Sequence, residues 1–590
     1  MSRYDDNPCR PRHFKPAPCS PAPLDEGERA SLEVSHTRLL VTAALFALAF
    51  LLIGVRLVEV AGFGEGEARL AHLPAAPSQT LRADILDRTG TVLATTLATA
   101  SLAAKPKMIH DPKGVAHQLA AVLPDLDETE LASKLASDRN FVWVKRQVTA
   151  HQEYEVNRLG IDGIEFQRGG KRVYPEGSLT SHVVGFAGID GEGLAGIERG
   201  LDDTLRGGLE PAHLTLDVRL QYILHDEIQR QMGEFNASGG AGIIMDVRNG
   251  EILSMVSLPD FDPNDPNGAS TDARFNRVSL GIYEMGSVFK IFNTAMALDA
   301  HTTSMTGGYD ASHPIAVGRF VIHDDHPQNR WLSVPEIFMY SSNIGSAKMA
   351  LDAGGERQKD FLARLGLLHA PSLELPEIGT PLVPAVWRPI NTMTVAFGHG
   401  VSVSPLQIAS AVASVVNGGT LVSPSLVLHD SLVLHDSLVR HEGARAKPGP
   451  RILSEATSLE MRKLLRLVVE NGTGKLAAAP GYLVGGKTGT AEKVQGKHYA
   501  RSDLFSSFIG VFPINDPRYL VMISIDEPHG NVQSAGFATG GWVAAPAVSR
   551  TVTRMAPIVG IPAVDENSPE IRRSLMIELP SSWGKKLAAN

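Results

Sequence analysis

Three short boxes in this chain carry hydroxyls and amines at spacings that suit acyl transfer. The first is Ser287-Val-Phe-Lys290, at the head of the apolar helical stretch "SVFKIFNTAMALD". Residues three apart on a helix share a face, so Lys290 lies beside the Ser287 hydroxyl. A serine hydroxyl becomes a nucleophile when a base takes its proton. Lysine serves as that base only if burial, a helix N-terminus or a second cation lowers its pKa. The second box, Ser341-Ser342-Asn343, opens another helical stretch. Ser341 can relay a proton between Lys290 and a leaving amine, and the Asn343 amide can hold a substrate peptide group. Taken alone, the triplet reads as a helix N-cap. The third, Lys487-Thr488-Gly489-Thr490, suits an edge strand. Lys487 supplies the second cation, Thr488 and Thr490 offer hydroxyls to a carboxylate, and Gly489 lets another backbone approach. The backbone N–H groups of Ser287 and Thr490 can line an oxyanion hole.

Each box has a competitor. "GYLVGGKT" (481–488) also matches the G-x-x-x-x-G-K-[ST] phosphate loop. A phosphate loop needs a helix after it, and "TGTAEKVQGKHYARSD" has two glycines and no apolar stripe. A second S-x-x-K, Ser582 to Lys585, sits near the end of the sequence with nothing downstream. Gly191, Gly193 and Gly196 fit G-x-G-x-x-G, with Asp217 at a suitable distance, but "IERGLDDTLRGG" is too short and glycine-broken to be the helix of a dinucleotide site. His323, Asp324, Asp325 and His326 read as loop and not as a metal cluster. His429, His435 and His441 fall in the tandem repeat "SLVLHDSLVLHDSLVRHE" (425–442), which reads as a duplicated surface segment.

The elements that must position the three boxes follow from composition and periodicity. The 590 residues exceed one hydrophobic core and imply several domains. A net charge of −9 argues against a general nucleic-acid binder. The only cysteines, Cys9 and Cys19, lie in the N-terminal 38 residues, so neither a disulfide framework nor a thiolate metal site follows them. Residues 1–38 are rich in Pro and charge and read as a disordered tail. The run Leu39–Val55 has no charged residue, and its seventeen residues span about 26 Å as a helix, enough for a hydrocarbon core. Its long leader and missing cleavage site favour a single membrane anchor (39–56) over a signal peptide. Residues 57–212 mix short strands, turns and helices. From 213 the pattern changes to "VRLQYILHDEIQRQMGEF", a helix, and then to two apolar runs around Asn249-Gly250, a hairpin signal. Helical patterns fill 275–475, and "DLFSSFIGVFPI" and "RYLVMISIDEP" are strands joined at Asn515-Asp516-Pro517. Strands at both ends with helices between predict a sheet closed by the two termini of the domain.

The motifs together resemble those of class B penicillin-binding proteins. "LRADILDRTGTVLA" (81–94) resembles the family's opening signature, with Ala83 where Gly is usual. "RVYPEGSLTSHVVGFAGIDGEGLAGIERGLDDTLRG" (172–207) resembles its non-catalytic module. "YEMGSVFK" (283–290) resembles its nucleophile box, with Met285 for Pro and Val288 for Thr, neither of which removes a reactive group. "GHGVSVSPLQIASAVASVVNGG" and "ENGTGKLAAAPGYLVGGKTGTAEK" match as well. The resemblance implies an α+β multidomain chain: a cytoplasmic tail, a single transmembrane helix, a pedestal (57–212), a transpeptidase domain of antiparallel sheet flanked by helices (213–560) and a C-terminal tail (561–590). It implies a division-type D,D-transpeptidase of the inner membrane, its catalytic domain outside the cytoplasm. Ser287, Lys290 and Ser341 would be catalytic, and Asn343, Lys487, Thr488, Gly489 and Thr490 would bind substrate. The implied partners are peptidoglycan stem peptides, β-lactams, a membrane-embedded polymerase and other division proteins, with no cofactor, no metal and no nucleic acid. An elongation-type transpeptidase or a β-lactam sensor would share the boxes. A β-lactamase would also need a deacylating base, for which no glutamate motif is evident.

Overall fold

Apolar residues on alternate positions of the strands at both ends of the domain build one sheet with two buried faces. The computed structural model describes residues 41, 43–54, 82–208, 210–318, 320–428, 449–495 and 498–577. The chain divides into two units, 1–78 and 79–590. In the first, residues 41 and 43–54 are helical, with exposed apolar side chains such as Leu45, Phe46 and Phe50. Among the described residues no helix is long and apolar enough to cross a membrane. The ends of the expected anchor, the cysteine-bearing tail, Ser582 and most of the histidine repeat lie outside the described residues.

The second unit holds two modules. The pedestal sheet comprises β1 (Ile85–Leu86), β2 (Val92–Ala104), β3 (Val142–Val148), β4 (Ile164–Val173) and β5 (Ala212–His213). Its order is β3-β2-β1-β5, and β4 also pairs with β2. The sequence predicts only short strands here, yet β2 runs for thirteen residues. Its composition, "VLATTLATASLAA", hides it, because alanine is depleted in strands and it is the antiparallel partners, β4 along most of its length with β3 and β1, that compensate. The G-x-G-x-x-G segment is a tight turn: Ala187 bridges Gly193, and Gly191 and Gly196 have positive φ. A Cβ on Gly193 would collide with the Glu198 carbonyl, which explains the glycine without any nucleotide.

Glu198 is the pedestal's buried anchor. Its carboxylate takes Arg82 Nε on one oxygen and Arg172 Nε on the other, and Arg82 also reaches Asp202 at 2.7 Å. Glu198 is 0% exposed and both arginines are 6% exposed at the side chain. The network joins the start of the pedestal to β4 and to the helical turn Gly196–Gly200.

The second sheet lies in the C-terminal module. Its strands are β6 (Gly239–Asp246) and β7 (Ile252–Leu258) at one end of the sequence and β12 (Gly485–Gln495), β13 (His498–Phe512) and β14 (Tyr519–Asp526) at the other. Between them, β8 (Gly308–Asp310) pairs antiparallel with β11 (Trp331–Ser333), and the chain between these two forms a small hairpin of β9 (Ile315–Val317) and β10 (Phe320–Ile322). The large sheet runs β12-β13-β14-β6-β7 and is antiparallel throughout. Its closure by β14 on β6 is the arrangement the sequence predicts.

Alternation divides the apolar side chains between two cores. Ile243, Met245, Leu520 and Met522 join the cluster that contains the helices Lys290–Asp299, Pro405–Val416 and Glu455–Asn471. Ile244, Val521 and Ile523 face the helices Val218–Glu234 and Ala545–Met555. β12 is left at an edge with one strand neighbour. Of the residues expected as a tail from 561, the described ones, 561–577, dock: Ile561 and Leu575 are buried, and Pro569–Leu575 is helical.

Removing the Glu198 charge would leave two buried guanidinium groups without their main partner. Glu198→Ala should destabilise the pedestal by about 3–5 kcal/mol, read as a lower urea midpoint for that module. An unchanged midpoint would show that the network does not brace it.

Candidate active site

Ser287 sits in a single 3-10 turn, Gly286–Phe289, that runs directly into the helix Lys290–Asp299. Contacts from three directions hold the turn. Tyr283 exchanges two backbone hydrogen bonds with Val403, at 2.9 Å each, and its ring stacks on Phe505 of β13 with centroids 4.1 Å apart. The Glu284 carboxylate accepts from His399 Nδ1 at 2.8 Å and from the Gly400 N–H at 2.7 Å. Gly286 lies against β12, where a Cβ would come within 2.3 Å of the Thr490 carbonyl oxygen. A Cβ on Gly398 would strike the Gly286 carbonyl, and one on Gly489 would strike the Met285 carbonyl. Glycine at these positions lets three backbone segments meet around the nucleophile.

The three boxes converge as the sequence spacing requires. Lys290 Nζ is 2.8 Å from Ser287 Oγ. It also reaches Ser341 O at 2.7 Å, Ser341 Oγ at 3.0 Å and Asn343 Oδ1 at 2.7 Å. From β12, Lys487 Nζ reaches the same Ser341 Oγ at 3.0 Å. Both lysines are 0% exposed. Lys487 therefore extends into the serine site, and the residues after it form a strand, so no helix N-terminus is present to hold a phosphate.

Burial pushes Lys290 down to about 7, against the opposing pull of the Asp325 and Asp324 carboxylates. Lys487 lies well below its ordinary value, first because it is buried and then because Lys290 stands close by. The two amines share one hydroxyl, so a proton on one disfavours a proton on the other. The hydrogen-bond inventory then assigns the lone pair. Ser341 O and Asn343 Oδ1 can only accept, so they take two hydrogens of a neutral Lys290 amine. In that state its lone pair is left for a hydroxyl, and Ser287 Oγ at 2.8 Å is nearer than Ser341 Oγ at 3.0 Å; accepting from the Ser287 O–H is the geometry of a general base.

Ser341 is held in the left-handed region at φ +60°, which costs a non-glycine residue roughly 1–2 kcal/mol. What compensates is the carboxylate of Asp324, a loop residue. Asp324 Oδ1 accepts from the Asn343 and Ile344 N–H groups at 2.6 and 2.9 Å, and Oδ2 accepts from Ser342 Oγ at 2.8 Å. Ser342 in turn caps the helix Asn343–Ala353 through the Gly345 N–H. Within the Ser-Ser-Asn triplet Ser342 is the helix cap, while Ser341 and Asn343 face Lys290. Asn343 Nδ2 also donates to His323 O at 3.1 Å. Among the described residues, no group of three or more His, Cys, Asp or Glu side chains could hold a metal ion.

Thr488 and Thr490 lie on the opposite pleat from Lys487. Thr488 Oγ1 is 2.8 Å from Thr473 Oγ1, and Thr490 Oγ1 accepts from the Gly540 N–H at 3.1 Å. Neither Thr473 nor Gly540 carries a signal that sequence reading could have linked to the site.

Comparison with known proteins decides the family. Residues 240–551 match the family described as "Penicillin binding protein transpeptidase domain", and residues 77–233 match "Penicillin-binding Protein dimerisation domain". This chain belongs to the penicillin-binding protein transpeptidase family. Penicillin-binding transpeptidases similar to it include the probable peptidoglycan D,D-transpeptidase FtsI of Caulobacter vibrioides, 38% identical over 83% of this chain and 84% of that protein. The peptidoglycan D,D-transpeptidase FtsI of Escherichia coli is 28% identical over 90% and 93%. Among solved structures, penicillin binding protein 3 of Mycobacterium tuberculosis complexed with aztreonam superposes with a TM-score of 0.64 at 24% identity, covering 85% of this chain and 99% of that one. The two modules correspond to the class B arrangement of dimerisation and transpeptidase domains, with the sheet flanked by helices.

If neutral Lys290 is the base, acylation of Ser287 should fall tenfold per pH unit below a limb near pH 7 and level off above it. A rate flat from pH 5 to 9 would exclude it. Asp324→Asn removes a carboxylate that holds protons on Lys290, so the limb should move to lower pH, while the maximal rate drops by about tenfold, or ~1.4 kcal/mol of barrier, as Ser341 loses its support.

Proposed function

We propose that this chain is a peptidoglycan D,D-transpeptidase that cross-links stem peptides through a Ser287 acyl-enzyme during septal wall synthesis. The observation that carries the reading is Lys290 Nζ, 2.8 Å from Ser287 Oγ and sharing the Ser341 hydroxyl with Lys487. Ser287 attacks the carbonyl of the penultimate D-Ala as its proton passes to Lys290. The oxyanion develops at the backbone N–H groups of Ser287 and Thr490, in a pocket where fixed dipoles are strong. Ser341 carries the proton from Lys290 to the departing D-Ala amine, with Lys487 holding the hydroxyl in line. An amine of a second stem peptide then attacks the acyl-enzyme, gives its proton back through the same relay, and frees Ser287. Thr488 and Thr490 hold the terminal carboxylate of the donor, Gly489 lets the strand come close to it, and Asn343 orients its peptide group.

β-Lactams fit the same site because they present a strained amide and a carboxylate to Ser287 and the threonines. The relatives named FtsI support a division role. The apolar run 39–55 serves as a single membrane anchor. It places the pedestal and transpeptidase domain outside the cytoplasm, beside a polymerase that supplies the glycan strands.

Mass spectrometry of the folded protein after exposure to a penicillin should find one adduct, mapped to Ser287 and absent in Ser287→Ala. No adduct on folded wild-type protein would overturn the reading. With a donor stem peptide and an amine acceptor, the wild type should form the cross-linked product, whereas a sensor would acylate and stop.

A further inference from the structure

Residues 561–577 have no part in the mechanism above, yet they bind the turn that leads into the strand carrying Lys487. The last turn before β12 is Gly481–Val484. On one side it is held by the Ile514 N–H, which donates to Leu483 O at 2.7 Å. On the other side the contacts come from the C-terminal segment. The Val564 N–H donates to Gly481 O at 2.9 Å, and the Gly481 N–H donates to Glu566 Oε1 at 3.1 Å. Gly481 has φ +84°, and a Cβ there would crowd Ala563, so the turn is shaped to receive this segment.

The second oxygen of Glu566 meets Arg466 of the helix Glu455–Asn471. Arg466 Nη2 donates to Glu566 Oε2 at 2.8 Å, Nε to Glu470 Oε1 at 2.8 Å, and Nη1 to Val484 O at 3.1 Å. Arg466 is buried, and Val484 directly precedes the first residue of β12. A Cβ on Gly485 would stand 3.1 Å from the Arg466 backbone nitrogen, so the strand begins in close contact with this helix. β12 is an edge strand, so the hydrogen-bonded ladder fixes it on one side only.

We infer that Glu566 is a positioning residue for the reaction: through Arg466 and Gly481 it fixes the entry of β12 and so sets where Thr488 and Thr490 present their hydroxyls to a ligand carboxylate. The inference rests on the proposed transpeptidase reading. It concerns carboxylate recognition more than proton transfer, because Lys487 is also held from the far side by Ser341.

The test compares Ser287 acylation by a penicillin with that by its methyl ester, in the full chain, for wild type, Glu566→Gln and Glu566→Ala. The ester lacks the carboxylate that the threonines are read to hold. In the variants the acid should react about tenfold more slowly, the scale of one charge-assisted hydrogen bond, while the ester keeps its wild-type rate. A general loosening of the fold would slow both ligands alike. The inference is overturned if acid and ester slow in equal proportion, or if both keep wild-type rates in a folded variant. Should Glu566→Ala fail to fold, the nearly isosteric Glu566→Gln decides. A wild type that is not acylated overturns the parent reading and this inference with it, whereas a wild type acylated equally by acid and ester leaves the parent reading standing and overturns the inference alone.

Discussion

Two buried lysines converge on one serine hydroxyl, and the structure is arranged around that conflict. Placing an ammonium group away from water is costly, and placing a second beside it more so. Part of the cost falls away if at least one amine gives up its proton, which is the state a base requires. The reactive condition and the lower-energy condition therefore coincide at Lys290. Everything around it keeps water out and supplies acceptors for the remaining hydrogens: Ser341 O and Asn343 Oδ1 on one side, the sheet and its helices on the others.

Such a site needs backbones closer together than side chains normally allow. Gly286, Gly398 and Gly489 each occupy a spot where a Cβ would enter a neighbouring carbonyl. The nucleophile turn, the 398–403 segment and β12 are thereby packed main chain against main chain. Positions set in this way do not depend on rotamers. Met285 and Val288, which stand in a box where the family usually has other residues, are both buried in the apolar core, so neither replacement adds or removes a reactive group.

The chemistry was legible because its boxes are local. Ser287 and Lys290 are three residues apart, and the K-T-G triplet is contiguous, so residue type and spacing suffice. The hairpin at Asn249-Gly250 and the β13–β14 turn were legible for the same reason. The supports were not. Asp324 reaches Ser342 across 18 residues of sequence, Glu284 meets His399 across 115, and Glu566 meets Arg466 across 100. A carboxylate that serves as an internal cap looks, in sequence, like any loop aspartate. β2 was underestimated because alanine and threonine carry little strand signal without their partner strand. The docked segment 561–577 is polar enough to read as a tail, and its inner face is made by buried Ile561 and Leu575, with Ile571 and Ile577 packed against the core.

The order of strands in the large sheet has a consequence for how the protein is made. Ser287 and Lys290 belong to the first half of the chain, whereas Lys487 lies on β12, which is secured through β13 and β14 to β6. While the chain lengthens from its N-terminus, β6 and β7 wait with an open edge, and the nucleophile has neither its second cation nor the backbone it packs against. Pairings of such long sequence separation form late. A partly emerged chain is therefore chemically silent. It can be neither acylated by an antibiotic nor primed to attack a stem peptide until β14 has docked on β6. The catalytic site is thus a property of the closed sheet, not of any segment that carries its boxes.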